Sequence, residues 1–148
     1  MAPGMSLIVR TIARLVASFI ALFGIYVAVY GHVTPGGGFA GGAIIAAGLI
    51  LVLLAFGRQE TQRMLTHGMA LGWDCGGAIA FLAIAVLGYL AGGFFFNFLT
   101  QGTPYTLVSG GAIPLSNAAI GAKVGGALFG VFFALAVFRR RAPQEDES

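Results

Sequence analysis

The chain has 148 residues, 58% hydrophobic and 9% charged, with a mean hydropathy of +0.93. This places it among integral membrane proteins of one bundle rather than water-soluble domains. The formal net charge of +3 comes from basic residues clustered beside apolar stretches, so it is a topology signal and lends no support to a nucleic-acid partner.

A helix that crosses the hydrocarbon core needs about 20 mostly apolar residues. The first such span runs over about 7–30, with Arg10 and Arg14 near its start, where both reach the headgroups, and Tyr26 and Tyr30 as an aromatic belt at its far end. A basic flank and an apolar run also describe a signal peptide. No small-x-small cleavage site precedes the next turn, however, so a retained helix is expected.

The stretch His32-Val33-Thr34-Pro35-Gly36-Gly37-Gly38-Phe39-Ala40-Gly41-Gly42 follows, and the rest of the chain is organised around it. Pro35 suits the first turn of a helix, where its missing N–H is not needed, so a tight turn feeding a new helix is expected. As helix, Gly37 and Gly41 share one face and Gly38 and Gly42 the adjoining one, giving two overlapping grooves for close backbone approach. Pro35 to Gly42, with Phe39 among them, therefore reads as a packing surface for helices and for a neighbouring subunit. The second span runs over about 37–56, and the short turn makes spans one and two an antiparallel hairpin.

Arg58 to Arg63 form a polar loop, with His67 an ordinary loop residue beyond it. The third span covers about 71–90, with Trp73 and Asp74 near its beginning. From 91 to 114 there is no charge, and Gly92-Gly93, Gly102, Pro104, Gly110-Gly111 and Pro114 forbid a continuous helix. Phe94, Phe95, Phe96 and Phe98 hold this connection at the membrane surface or against a partner. The fourth span covers about 116–138 and ends at Arg139-Arg140-Arg141, before a short tail, 142–148, expected to be disordered. The fold class is thus an all-α integral membrane protein, with a four-helix membrane domain over 1–141. Lysine and arginine flank both termini and the polar loop but neither opposite loop, which puts the termini and tail in the cytoplasm.

Lys123 is the sharpest anomaly, an ammonium about 10 Å into the fourth span at 1.5 Å per residue. Near the bilayer centre such a group costs about 2.5–3.5 kcal/mol, so it should face protein or water. It is either an outward-reaching anchor or a buried, titratable lysine beside an ion path, with Gly121, Gly125, Gly126 and Gly130 around it as close-packing surface. Asp74 lies near the opposite end of its own span, about 15 Å away along the axis by the same rise, which argues against direct pairing. It reads as a cap on the third helix or as a group for proton uptake. His32 is the one histidine on the external side, either a plain surface residue or a titrating one. Cys75, the only cysteine, excludes an intrachain disulfide and reads as a small core residue. No nucleotide loop, metal cluster or Ser-His-Asp arrangement occurs, so neither catalysis, a metal nor a cofactor is implied.

The block HVTPGGGFAGGAIIAAGLILVLLAFG resembles the hallmark segment of the B subunit of Mrp-type (Mnh-type) multisubunit Na+/H+ antiporters, approximately H-x-x-P-G-G-G-F-x-G-G before an apolar helix. IPLSNAAIGAKVGGALFGVFFALAVF is similar to the last helix of that family, with a lysine at Lys123. The resemblance implies a non-enzymatic subunit of a prokaryotic plasma membrane, assembled with a large antiporter-like subunit in a complex that exchanges Na+ for H+ and serves pH homeostasis. Relatives also occur in the membrane arms of energy-converting hydrogenases. The combined reading is a subunit that contributes Lys123, with His32 and Asp74 as further candidates, to an ion or proton path shared with a neighbour. The rivals are a purely structural subunit and a small transporter working as a homodimer.

Overall fold

The computed structural model describes residues 5–57, 60–62, 66–99, 102–107 and 109–138. Arg58 and Arg63, the His67 side chain, the arginines 139–141 and the tail 142–148 lie outside the described residues. Four helices, each long and apolar enough to cross a membrane, account for most of what is described, and no strand occurs among those residues. They are α1 (Leu7–Val29), α2 (Gly38–Phe56), α3 (His67–Ala91) and α4 (Ile113–Phe138). The protein is a multi-pass membrane protein.

Lipid tails are as apolar as leucine, so packing between such helices comes from dispersion at close approach, and small residues mark where it happens. The helices stand in the spatial order α1, α2, α4, α3, each packed chiefly on the next. At the first seam, a Cβ on Gly41 would lie 2.6 Å from the Gly24 carbonyl oxygen and from the Ala28 Cβ. At the second, a Cβ on Gly42 would lie 2.6 Å from the Gly121 carbonyl oxygen, and one on Gly38 would run into the Asn117 carbonyl. At the third, a Cβ on Gly77 would lie 2.6 Å from the Ala119 carbonyl oxygen and 2.7 Å from the Lys123 amide nitrogen, and one on Gly126 would lie 2.6 Å from the Ala70 carbonyl oxygen. Leu53, Ala70, Phe129 and Phe133 then form a buried cluster joining α2, α3 and α4.

Helix ends differ from the sequence reading in three places. Pro35 does not open α2: the helix begins at Gly38, and Gly37, at φ +131°, is its N-cap. That left-handed backbone suits glycine alone. Gly37 and Gly41 are therefore not two positions on one helical face. His67, expected in the polar loop, starts α3, four residues before Leu71. Pro114, expected to break a helix, sits in the first turn of α4, which begins three residues before the expected start at Ser116. Its lost N–H is free there.

The connection between α3 and α4 is held by a few polar groups. The Asn97 side chain donates to the Gly110 carbonyl at 3.2 Å and accepts from the Ala112 N–H at 2.9 Å. Phe98 packs on the buried trio Ile84, Ala112 and Ala119, and Phe95 lies 5.2 Å from the Phe81 ring. Asn97→Ala leaves a part-buried donor and acceptor without partners, which costs about 1–3 kcal/mol. Amide hydrogen exchange at Ala112 should therefore speed up by tenfold or more. An unchanged rate would show that the aromatic contacts alone hold the connection.

Candidate functional site

Lys123 Nζ donates to Asp74 Oδ1 at 2.7 Å, joining α4 to α3 through an ion pair. This corrects the expectation that some 15 Å of depth keeps the two apart. Both helices begin earlier than the sequence suggested, by four residues in α3 and three in α4. Each residue thereby moves toward the middle, together by about 10 Å at 1.5 Å per residue, and the lysine stem covers what is left. Asp74 is also no cap, since it stands about two turns inside α3.

The backbone beneath the pair explains its register. Gly77 admits the α4 backbone at Ala119 and Lys123, and Gly126 admits the α3 backbone at Ala70 and Asp74. With no Cβ at either position the two helices approach closely, and residues 74 and 123 face each other across the seam. The pair lies at the surface of the chain, with Lys123 48% and Asp74 30% exposed. The lysine is therefore not buried within its own chain, as one of the two sequence readings had it. Its ammonium carries three donors and the carboxylate several acceptor sites, so one mutual hydrogen bond leaves both with capacity toward whatever lies outside.

The other expected residues are placed apart from this pair. His32, in the turn after α1, donates from Nε2 to the Thr106 carbonyl at 3.2 Å, tying that turn to the α3–α4 connection. Its ring lies against the position where Gly110 would carry a Cβ, at 2.9 Å. Pro35 and Phe39 are exposed beside it, Gly36 lies against Val27, and Gly38, Gly41 and Gly42 are buried in helix seams. Gly121 and Gly125 face the α2 backbone at Gly38 and Gly42, where a Cβ on either would lie an ordinary 3.4 Å from the carbonyl oxygen. Cys75, expected in the core, is exposed. No cluster of three or more metal-binding side chains occurs among the described residues.

Gly77, Asn97 and Asn117 carry this arrangement without having been singled out from the sequence, whereas Gly126 had been named as close-packing surface beside Lys123.

A family described as a domain related to the MnhB subunit of Na+/H+ antiporter matches residues 8–130. An uncharacterised protein of Methanocaldococcus jannaschii is 35% identical over 124 residues, covering 79% of this chain and 47% of that protein. A Staphylococcus aureus protein that carries the name of an antiporter subunit, mnhB2, is 43% identical over 58 residues, 39% of this chain and 41% of that one. Among solved structures, a chain of the membrane-bound sulfane sulfur reductase, an archaeal respiratory membrane complex, aligns with a TM-score of 0.75 at 34% identity, covering 91% of this chain and 60% of its own length. The chain thus spans about half the length of the relatives it matches. With the family match extending over all four helices, from the first turns of α1 into α4, the chain belongs to the MnhB family.

Proposed function

We propose that this chain is a small membrane subunit of a multisubunit Na+/H+ antiporter-type complex, and that the Asp74–Lys123 pair forms part of an ion or proton path where it meets a larger antiporter-like subunit. The observation that carries the reading is the pair itself, 2.7 Å apart and part-exposed within spans that are otherwise uncharged at that depth. A charge facing hydrocarbon there costs about 2.5–3.5 kcal/mol, so the pair is expected to face water or polar groups of a neighbour. The glycine faces argue in the same direction. Gly24, Gly41, Gly38, Gly42, Gly77 and Gly126 pack helices of this chain on one another, which leaves the ion pair as the distinctive feature turned outward.

Lys123→Ala should preserve co-purification with the complex and lower Na+-driven proton exchange in everted membrane vesicles by at least tenfold. Lys123→Arg keeps a fixed charge but not a titrating one, so activity in that variant assigns the lysine an electrostatic role and inactivity a proton-carrying role. Normal exchange by an assembled Lys123→Ala complex would make the subunit structural.

The likeness to a respiratory membrane complex favours a second assembly. In it the same subunit serves the membrane arm of a redox-driven machine, and electron donors in place of a Na+ gradient would drive the proton movement.

The basic flanks favour a topology with both termini in the cytoplasm of a prokaryotic cell. Cysteines at Val33 and Thr103 should then react with an impermeant thiol reagent from outside, and one at Gln62 should not. The background must carry Cys75→Ser, because that thiol is exposed. External labelling of Gln62 would invert the topology.

A further inference from the structure

The end of α1 that carries Arg10 and Arg14 holds a feature the ion-pair reading does not use. The two guanidinium carbons lie 6.0 and 5.1 Å from the centroid of the Phe56 ring, at the last residue of α2. The ring face attracts both cations without using their N–H donors. Neither group pairs with a carboxylate among the described residues, and the first acidic residue of the chain is Glu60. Arg10 Nε is buried without a hydrogen-bond partner.

From Arg14 a shallow, open groove runs along the outer face of α1, lined by Ile12, Leu15, Phe19 and Leu22 of that one helix, each more than half exposed. The two hydroxyls that would make it polar are turned onto their own helix: Thr11 donates to the Leu7 carbonyl at 3.0 Å and Ser18 to the Arg14 carbonyl at 2.9 Å. Thr11 to Leu22 spans about 16 Å of helix, close to half of the ~30 Å hydrocarbon core. The groove is apolar along this length and ends at the Arg14 cation, with Arg10 one turn earlier on the same helix.

We propose that this groove binds an anionic phospholipid, its phosphate held by the Arg10 and Arg14 forks and one acyl chain lying along Leu15, Phe19 and Leu22. Charge at the mouth selects the anionic headgroup, since guanidinium and phosphate match in a bidentate geometry. The inference is independent of the proposed ion path.

The test uses the complex containing the full chain, reconstituted in vesicles doped with phosphatidylglycerol or phosphatidylcholine bearing a photoreactive diazirine on the acyl chain. Adducts are mapped by mass spectrometry to the 11–22 segment. Phosphatidylglycerol should label this segment at least fivefold more than phosphatidylcholine. Arg10→Gln with Arg14→Gln should bring the two lipids level, while Arg10→Lys with Arg14→Lys should keep part of the preference. Equal labelling by both lipids in the wild type would overturn the proposal. So would no labelling, which would mean that neighbouring protein covers the groove, or an undiminished preference in the double glutamine variant.

Discussion

Gly42→Leu is expected to lower the amount of folded chain in the membrane by at least tenfold, as read by immunoblot of membranes and by co-purification. At this position even a Cβ would stand 2.6 Å from the Gly121 carbonyl oxygen and 2.9 Å from the Val124 Cβ. A carbonyl cannot rotate aside as a side chain can, so α2 must lift off α4 along the seam that Gly38 and Asn117 also form. Overpacking usually costs about 1–3 kcal/mol where side chains yield. Here backbone must yield, and the dispersion lost along the seam is the main attraction available between helices in lipid. Gly41→Leu should behave alike at the α1–α2 seam. Gly125→Ala is the control, because its Cβ would meet the Gly42 carbonyl at an ordinary 3.4 Å. Normal accumulation of Gly42→Leu would mean that the seam is wider than described.

The ion pair supplies the second large effect. Asp74→Asn or Lys123→Gln alone leaves one charge without its partner at membrane depth. Near the bilayer centre a charge left alone costs about 2.5–3.5 kcal/mol. Each single variant is expected to lose at least tenfold in exchange activity and to assemble into a less heat-stable complex. Asp74→Lys combined with Lys123→Asp keeps opposite charges on facing helices, with the long side chain now on α3. It should recover assembly beyond either single change. A cycle over Asp74→Asn, Lys123→Gln and the variant carrying both changes should show strong non-additivity. If the effects simply add, the two residues act separately and the 2.7 Å contact has no functional weight.

How far the sequence revealed this arrangement depended on the property in question. Four crossings were legible because each is a long apolar run with charge or glycine at its limits, and hydropathy needs no precise helix end. The site depended on helix ends. Placing α3 from Leu71 and α4 from Ser116, where the polar character fades, moved Asp74 and Lys123 apart by most of the distance that seemed to forbid their contact. Thr66 as N-cap and Pro114 inside a first turn mark the true starts, but both are also ordinary loop residues and carry little signal alone. The glycines misled in a different way. His32 to Gly42 announces close packing, yet glycine has no side chain with which to state its partner. Only the structure assigns Gly41 to α1 and Gly38 and Gly42 to α4. Of the two glycines that set the register of the ion pair, Gly77 looked no different from Gly72 and Gly76, and Gly126 no different from Gly130, whose missing Cβ atoms meet nothing within 4 Å.

The spatial order α1, α2, α4, α3 also has a consequence for synthesis. The first hairpin is complete once α2 has emerged, but the α2 face bearing Gly38 and Gly42 must wait for α4, the last helix to be made. About 80 residues separate the two events, roughly 4–16 s of translation at 5–20 residues per second. During that interval an unsealed glycine strip faces lipid with nothing to cover it, and α3, when it inserts, finds no finished neighbour either. The last helix thus docks two ways at once, onto α2 and onto α3. A ribosome stalled before α4 would leave a half-made protein that membrane proteases can recognise by that strip.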